Sequence, residues 1–595
     1  MSVIHAPGKP RFTFRVLLFP GVLLVLFLAL LFRLWYVQVA IAPELRERID
    51  NTREASRFLP APRGLIYDRH GKLIAGVQDQ LVLTAEAGIV LKHPEVLRKV
   101  AYLLSPTGSD EERLLRKTKD GVYRPKSDTA IYAGLPLNVA AKIIENANAF
   151  QGLKVRSQPI RSYPDPVSFS HMLGYVWVPS QGDLDRAKKE GRQAADLVGK
   201  SGLEYEYESQ LMGVDGEETF QLTSDGERGS SVSNLRPTPG TQLVLSIDAD
   251  LQKIAVGALS GRRGAVVAIE PETGEILCLA SRPAFDLRQF KNGISRQDFD
   301  ALNNNPEHPF INRATNSAFA PGSTFKIVTT VAAMRSGKFN PSQTVYCSGG
   351  YRLGKQFFRC LGHHGAINFS TALEKSCNTY FSDLAVKVGK DELRKAALDM
   401  GFFSKSGLDL PSERSGLIPT DDWLRRVGKK WVPGYTVLTG IGQGDVLATP
   451  VQMANLACFV ANEGTTYRPH LVKAFRGHNT SQVAPEVVHQ VDLPAGDWRQ
   501  IKDAMVGVVD HGTAAGSRIP GLAWGGKTGS AEVHGQAKTN SWFIGFAPAI
   551  RPKIAICVMV EAVGHGSEYA APIARRVVES YLRPASAFSK SSSAR

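Results

Sequence analysis

The stretch Ala320-Pro321-Gly322-Ser323-Thr324-Phe325-Lys326 holds the only Ser-x-x-Lys in the 595-residue chain. Positions i and i+3 share one face of a helix, so the Ser323 hydroxyl and the Lys326 amine can come within reach of each other. Pro-Gly before the serine signals a turn. The apolar run Ile327 to Val331 after it predicts a buried helix with Ser323 at its start. Backbone N–H groups and the helix dipole favour a developing negative charge there. A lysine desolvated in such a pocket loses basicity and can take the serine's proton. A bare Ser-x-x-Lys is nevertheless more often an inert surface pair than a nucleophile and its base.

Two further motifs change that balance. Ser376-Cys377-Asn378 is the only Ser-x-Asn in the chain, and Lys527-Thr528-Gly529 lies further downstream. Lys200-Ser201-Gly202 and Lys405-Ser406-Gly407 also fit Lys-[Ser/Thr]-Gly. The first precedes Ser323, and the second runs into Leu-Asp-Leu-Pro rather than a strand. After Lys527 come Ser541 to Phe546 and Lys553 to Val560, both strand-like, so Lys527 is the member to keep.

The elements that must position these motifs follow from the rest of the chain. At 595 residues it is too long for one core and should split into at least two domains. Hydrophobic content of 43% and charged content of 21% are ordinary for a globular protein. A net charge of +15 raises nucleic acid as a partner, but no nucleic-acid-binding signature accompanies it. Work beside an anionic membrane and cell wall fits the same charge.

Residues 1–15 carry Lys9, Arg11 and Arg15 without an acid, and read as a cytoplasmic tail. Residues 16–37, mainly apolar, have the ~20 residues a membrane helix needs, with Trp35 and Tyr36 as interface anchors. Everything after them is then outside the cytoplasm. Ala40-Ile41-Ala42 keeps a cleaved signal peptide as the competing reading. Residues 38–240 read as a pedestal, ending near the breaker cluster Pro237-Thr238-Pro239-Gly240. Within it Glu95–Leu104 and Asp110–Arg116 look helical and polar enough to be exposed, as a mobile head for partner binding.

From Thr241 the pattern changes. Gly264 to Glu270 and Glu275 to Ala280 are strands joined by the hairpin Pro271-Glu272-Thr273-Gly274. A mostly helical stretch then holds Ser323 and Ser376, and strands return after Lys527. That order predicts an α/β domain over 241–585, its central antiparallel sheet built from both ends of the segment and lying between helices. The Ser-rich residues 586–595 read as a disordered tail.

The three motifs together resemble the active-site set of penicillin-binding proteins and serine β-lactamases. Arg63-Gly64-Leu65-Ile66-Tyr67-Asp68-Arg69-His70-Gly71 resembles the box that opens class B penicillin-binding proteins, with His70 in place of Asn. Arg161-Ser162-Tyr163-Pro164 with His171 to Tyr175, and Gly199 to Glu204 with Tyr207-Glu208, resemble two more family boxes, whose polar residues are expected to pin loops together. The resemblance runs from Pro62 to about Pro584. No Glu-x-x-Leu-Asn lies between Asn378 and Lys527, which argues against a β-lactamase, as do the membrane helix and the pedestal. Nothing resembles a glycosyltransferase domain.

The resemblance implies a D,D-transpeptidase that cross-links peptidoglycan stem peptides and is acylated by β-lactams. It makes Ser323 the nucleophile, Lys326 the general base and Ser376 a proton relay. Asn378 would bind the substrate amide, and Lys527 and Thr528 the terminal carboxylate. Gly529 would admit the substrate backbone, and the Ser323 and Ser530 N–H groups would form the oxyanion hole. It also implies a SEDS-type (RodA-type) membrane glycosyltransferase and rod-complex scaffold proteins as partners, at the bacterial inner membrane. A septal class B transpeptidase and a β-lactam sensor or scaffold without turnover remain the alternatives.

One feature points to the elongation type. Cys347, Cys360, His364 and Cys377 are spaced Cys-x12-Cys-x3-His-x12-Cys, a set able to close a tetrahedral zinc site. His364-Gly365-Ala366-Ile367-Asn368 matches a region that carries zinc in some elongation-type members. The expectation is one structural zinc per chain and no cofactor for the chemistry. His363 is the rival ligand, and a disulfide the alternative outside the cytoplasm.

Overall fold

The computed structural model describes residues 14–42, 54–120, 129–191, 197–222, 228–291, 294, 296–477, 480–533 and 535–583. Most of the expected cytoplasmic tail, the segment just after the apolar helix, and the Ser-rich tail lie outside the described residues. Two compact units make up the chain. The first, residues 1–60 with 215–238, contains the helix Phe14–Trp35, prolonged by a π-helical turn Tyr36–Ile41. Phe19–Ile41 is long and apolar enough to cross a membrane, and its side chains are exposed. The helical run therefore outlasts the expected end at Val37, because Val37, Val39 and Ile41 carry it past the polar Gln38. A three-stranded antiparallel sheet, with Gly216–Leu222 between Glu54–Leu59 and Arg228–Leu235, belongs to the same unit.

The second unit holds all three motifs. Its centre is a five-stranded antiparallel sheet of β1 (Gly264–Ile269), β2 (Ile276–Arg282), β3 (Gly525–Ala531), β4 (Asn540–Ala547) and β5 (Ile554–Val560). The spatial order is β2-β1-β5-β4-β3, so the strands from both ends of the segment meet at the β1–β5 pairing, as the strand order predicts. β1, β4 and β5 are buried along their full length. That is why β1 and β5 read as unbroken apolar runs rather than alternating ones. The helices Ala249–Ala258 and Ala570–Leu582 pack together and on this sheet, and the apolar helix Pro450–Ala461 covers β1, β4 and β5 as well.

The family-like boxes do pin loops. Glu204 is fully buried, and its two oxygens take Arg63 Nε at 2.5 Å and Arg161 Nε at 2.6 Å. Arg63 also reaches Glu208 at 2.6 Å. One buried ion cluster thus joins three segments distant in sequence. Strand Gln242–Leu245 pairs in parallel with Ile66–Tyr67 and antiparallel with Val472–Arg476.

Glu95–Leu104 and Glu111–Asp120 are helices, but the expectation of exposure needs correction. Val96, Leu97, Val100 and Ala101 bury one stripe of the first helix in a separate small core with Leu83, Leu114 and Ile131. The polar residues that suggested exposure occupy only the other face.

Candidate active site

Ser323 sits on a 3₁₀ turn, Gly322–Phe325, that runs into the helix Lys326–Arg335. Gly322 has φ +58, and a Cβ on it would lie 2.8 Å from Ser530 O. Only glycine lets this turn approach β3 so closely. The Gly322 N–H donates to Gly442 O at 2.8 Å, and Gln443 Nε2 donates to Ser530 O at 3.1 Å. The nucleophile turn and β3 are thereby held by a third segment.

Gly442 and Gln443 belong to none of the three motifs. The only signal was the close-set Gly440, Gly442 and Gly444.

Lys326 is completely buried and donates from Nζ to Ser376 O at 2.8 Å, Ser376 Oγ at 3.3 Å and Asn378 Oδ1 at 2.7 Å. The Phe381 ring lies 5.4 Å from the same nitrogen. Burial lowers the lysine to about 7, an effect partly opposed by negative charge on Cys360 and Cys377. Ser376 has φ +55, a left-handed conformation that costs a non-glycine residue roughly 1–3 kcal/mol. It holds the hydroxyl where both lysines reach it. Asn378 opens the helix Asn378–Val388.

Lys527, Thr528 and Gly529 lie on β3, the edge strand of the sheet, paired with Ile544, Phe543 and Trp542 of β4. An edge strand offers unpaired backbone groups to an added peptide. Lys527 Nζ donates to Ser376 Oγ at 3.0 Å and to Thr528 O at 3.1 Å. Burial first, and then the charge of Lys326, hold it well below the ordinary lysine range. Thr528 Oγ1 lies 2.7 Å from Thr513 Oγ1, and Ser530 Oγ lies 3.4 Å from His565 Nδ1 while accepting from Gly566 N–H at 3.3 Å.

Ser323, Lys326, Ser376, Asn378, Lys527, Thr528, Gly529 and Ser530 are therefore brought together. Thr513 and His565, which no sequence pattern singled out, stand behind them. The two rival Lys-Ser-Gly tripeptides are elsewhere: Lys200 pairs with Asp183, and Ser406 N–H donates to Glu413 at 2.9 Å.

The four expected metal ligands also converge. The ligand atoms of Cys347, Cys360, His364 and Cys377 all lie within 4.8 Å of one another. Cys347 Sγ and Cys360 Sγ are each 3.5 Å from His364 Nδ1, and Cys360 Sγ is 3.8 Å from Cys377 Sγ. A tetrahedral site with Zn–S of about 2.3 Å and Zn–N of about 2.0 Å has edges of roughly 3.5–3.8 Å. The donor set fits zinc, and all six cysteines are free thiols.

The stretch between Ser323 and Ser376, predicted to be mostly helical, also contains strands in the segment that carries the first two cysteines. That segment forms four short strands, Val345–Cys347, Gly350–Leu353, Gln356–Arg359 and Gly365–Ile367. Cys360 Sγ accepts from Asn378 N–H at 3.2 Å, so this insert touches the second motif directly.

Comparison with known proteins agrees with this geometry. Residues 264–579 match the family model described as "Penicillin binding protein transpeptidase domain", and residues 58–245 match "Penicillin-binding Protein dimerisation domain". The peptidoglycan D,D-transpeptidase MrdA of Acinetobacter baumannii is 33% identical over 589 residues, covering 96% of this chain and 87% of that protein. Among solved structures, the complex between penicillin-binding protein PBP2 and MreC from Helicobacter pylori has a TM-score of 0.78 at 27% identity, over 89% of this chain and 99% of that one. A structure described as "Structural coordination of polymerization and crosslinking by a peptidoglycan synthase complex" has a TM-score of 0.71 at 28% identity, over 96% and 98% of the two chains. In sequence over nearly its whole length, and in fold, this chain belongs to the class B penicillin-binding proteins, in the penicillin-binding protein 2 group.

Proposed function

We propose that the chain is a monofunctional peptidoglycan D,D-transpeptidase of cell-wall elongation that works through an acyl-enzyme on Ser323. The observation that carries this reading is the meeting of Lys326 and Lys527 on the single oxygen of Ser376, beside the nucleophile turn. Similarity to MrdA proteins favours elongation over the septal type. A sensor without turnover is not favoured by any feature of the site.

Lys326, lowered to about 7 by burial and so partly uncharged at neutral pH, takes in that form the Ser323 proton as Oγ attacks the carbonyl carbon of a terminal D-Ala-D-Ala. The tetrahedral oxyanion sits on the N–H groups of Ser323 and Ser530. The C–N bond breaks, and the departing D-alanine amine takes a proton relayed through Ser376 from Lys326. Lys527 and Thr528 bind the terminal carboxylate, and Asn378 binds the substrate amide. The stem-peptide backbone lies along the edge of β3, and Gly529 lets the nucleophile turn pack on that strand, since a Cβ there would lie 2.9 Å from Pro321 O. β-Lactams acylate the same oxygen.

The apolar helix is read as a single inner-membrane anchor, with the N-terminus in the cytoplasm and the catalytic domain in the periplasm. The functional division is read as tail 1–15, anchor 16–37, pedestal 38–240, catalytic domain 241–585 and tail 586–595. Partners are read as a SEDS-type glycosyltransferase and rod-complex scaffold proteins. The named contents of two similar structures, MreC and a peptidoglycan synthase complex, support this. The Cys347, Cys360, His364, Cys377 set is read as holding one structural zinc that fixes the insert against the Ser376 loop. With four protein ligands it has no open position, and no chemical step passes through it.

The test is to incubate purified full-length chain with a fluorescent penicillin, then with a stem-peptide donor and an amine acceptor. Labelling at Ser323 and an amide-linked product are expected. Labelling without any product would establish the sensor instead.

A further inference from the structure

Gln443 is bonded to the strand that carries the third motif, yet no step of the chemistry described above uses it. Its Nε2 donates to Ser530 O at 3.1 Å. The residue is half-buried, and its own N–H donates to Leu438 O at 2.9 Å. The segment around it is clamped to the nucleophile. Thr329 Oγ1, on the helix Lys326–Arg335, donates to Gly440 O at 2.7 Å, and the Gly322 N–H donates to Gly442 O at 2.8 Å. Gly442 packs so closely there that a Cβ on it would collide with Gly322 O. Gln443 therefore reaches β3 from the same support that holds Ser323.

What this bond orients follows from strand geometry. Along an antiparallel strand, one residue turns its N–H and C=O together toward the partner strand, and the next turns both away. The Ser530 carbonyl faces Gln443 and the nucleophile turn, where a Cβ on Gly322 would lie 2.8 Å from it. Ser530 is thus an outward residue of β3, and its N–H points off the edge of the sheet on the same side. Thr528, two residues earlier, is outward as well, and its carbonyl accepts from Lys527 Nζ at 3.1 Å.

On an edge strand no neighbouring strand fixes the outward groups. At Ser530 the Gln443 amide does so, because the strand cannot turn about its own axis without breaking that bond. A carbonyl oxygen has two lone pairs, so Ser530 O can still pair with a peptide laid along the edge.

We infer that Gln443 is a positioning residue for the oxyanion: by holding Ser530 O it sets the direction of the Ser530 N–H and its distance from the Ser323 N–H. The inference rests on the acyl-enzyme reading, in which those two N–H groups receive the tetrahedral oxygen. Such donors stabilise the developing charge only if they are aimed before the reaction begins. The Ser323 N–H belongs to the turn that Gly442 holds, and the Ser530 N–H to the strand that Gln443 holds. Two consecutive residues thus fix the two donors relative to each other. Their aim matters most once the oxygen is charged, so its loss appears in the acylation rate rather than in binding.

The test is Gln443→Met in the purified full-length chain, which keeps the length of the side chain and removes its donor. Stopped-flow labelling at increasing concentrations of a fluorescent penicillin separates the dissociation constant from the first-order acylation rate. That rate should fall about tenfold, a part of the ~10²–10³ lost when an oxyanion donor is removed outright. The dissociation constant should change by less than about twofold. The second readout is the infrared band of the acyl-enzyme ester, isolated with a penicillin isotope-labelled at its reactive carbonyl. Weaker hydrogen bonds to that oxygen move the band to higher wavenumber. A folding defect does not, because only molecules that have acylated contribute. A band at the wild-type position, a wild-type acylation rate, or a loss of labelling that comes through the dissociation constant alone would overturn the inference. The reading beneath it is checked on wild type, whose ester band should lie below that of the same adduct after denaturation. Equal bands there would remove the oxyanion hole itself, and an adduct on a residue other than Ser323 would remove the acyl-enzyme reading.

Discussion

Lys527 Nζ donates to Ser376 Oγ at 3.0 Å, from the edge strand of the sheet to a loop far away in sequence. Lys326 reaches the same oxygen at 3.3 Å. Both amines are buried, which lowers Lys326 to about 7 and, with the charge of Lys326 added, holds Lys527 well below the ordinary lysine range. Ser376 Oγ is thus a hydroxyl bonded by both lysines, placed as the proposed proton relay requires.

Ser376→Ala removes this junction without altering Ser323 or either lysine. Acylation by penicillin should fall by about 10²–10⁴, the usual worth of a positioned proton-transfer group. Stopped-flow labelling checks it. A loss of less than twofold would show that Ser376 only packs.

Ser323→Ala should abolish covalent labelling altogether and shift the thermal midpoint little, because only a half-exposed hydroxyl is removed. Mass spectrometry after penicillin treatment reads the first outcome and a thermal melt the second. A residual adduct at the wild-type rate would place the nucleophile elsewhere.

The pH profile follows from Lys326, which titrates at about 7. Below that value the amine keeps its proton and cannot accept another, and above it the base is free. The second-order rate of acylation should therefore rise about tenfold between pH 6 and pH 8 and then level off. A flat profile across that range would mean that Lys326 is not the base.

The three motifs were legible because their chemistry demands particular residue types in a particular order. The sheet was legible because β1 and β5 are buried on both faces and leave unbroken apolar runs. What surrounds them was not. Thr513 and Gln443 adjoin Thr528 and Ser530 only after folding, and no local pattern marks them. The left-handed backbone of Ser376 leaves no trace in a serine. The insert's strands are three or four residues long and interrupted by Gly349, Gly350 and Gly354, too short for a period of two to emerge.

Glu204 offers a prediction about the pedestal. Burial alone would raise its carboxyl, but Arg161 and Arg63 together hold it below the ordinary range. A depressed acid stabilises the fold above its unfolded pKa and loses that effect as pH falls through the folded value. Glu204→Gln leaves Arg161 without its charge partner and Arg63 with Glu208 alone, and should cost about 3–5 kcal/mol, read as a lower thermal midpoint. If the variant melts with wild type, the cluster is not what joins the three segments.

The cysteine cluster yields the last prediction. Cys377 sits between Ser376 and Asn378, and Cys360 Sγ accepts the Asn378 N–H, so whatever holds these sulfurs also holds the second motif. Cys347–His364, Cys360–His364 and Cys360–Cys377 separations of 3.5, 3.5 and 3.8 Å suit the edges of a zinc tetrahedron. A disulfide would instead need two sulfurs at about 2.05 Å and would leave a third thiol unpaired. Chain purified without a histidine tag or added metal should contain one zinc per molecule by elemental analysis. Chelation, or Cys377→Ala, should lower the thermal midpoint and slow acylation although Ser323 is unchanged, because the loop that carries Ser376 loses its tether. His364→Ala should do the same and His363→Ala should not. Zinc well below one per chain, with Cys347 and Cys360 oxidised to each other, would give the cluster to a disulfide.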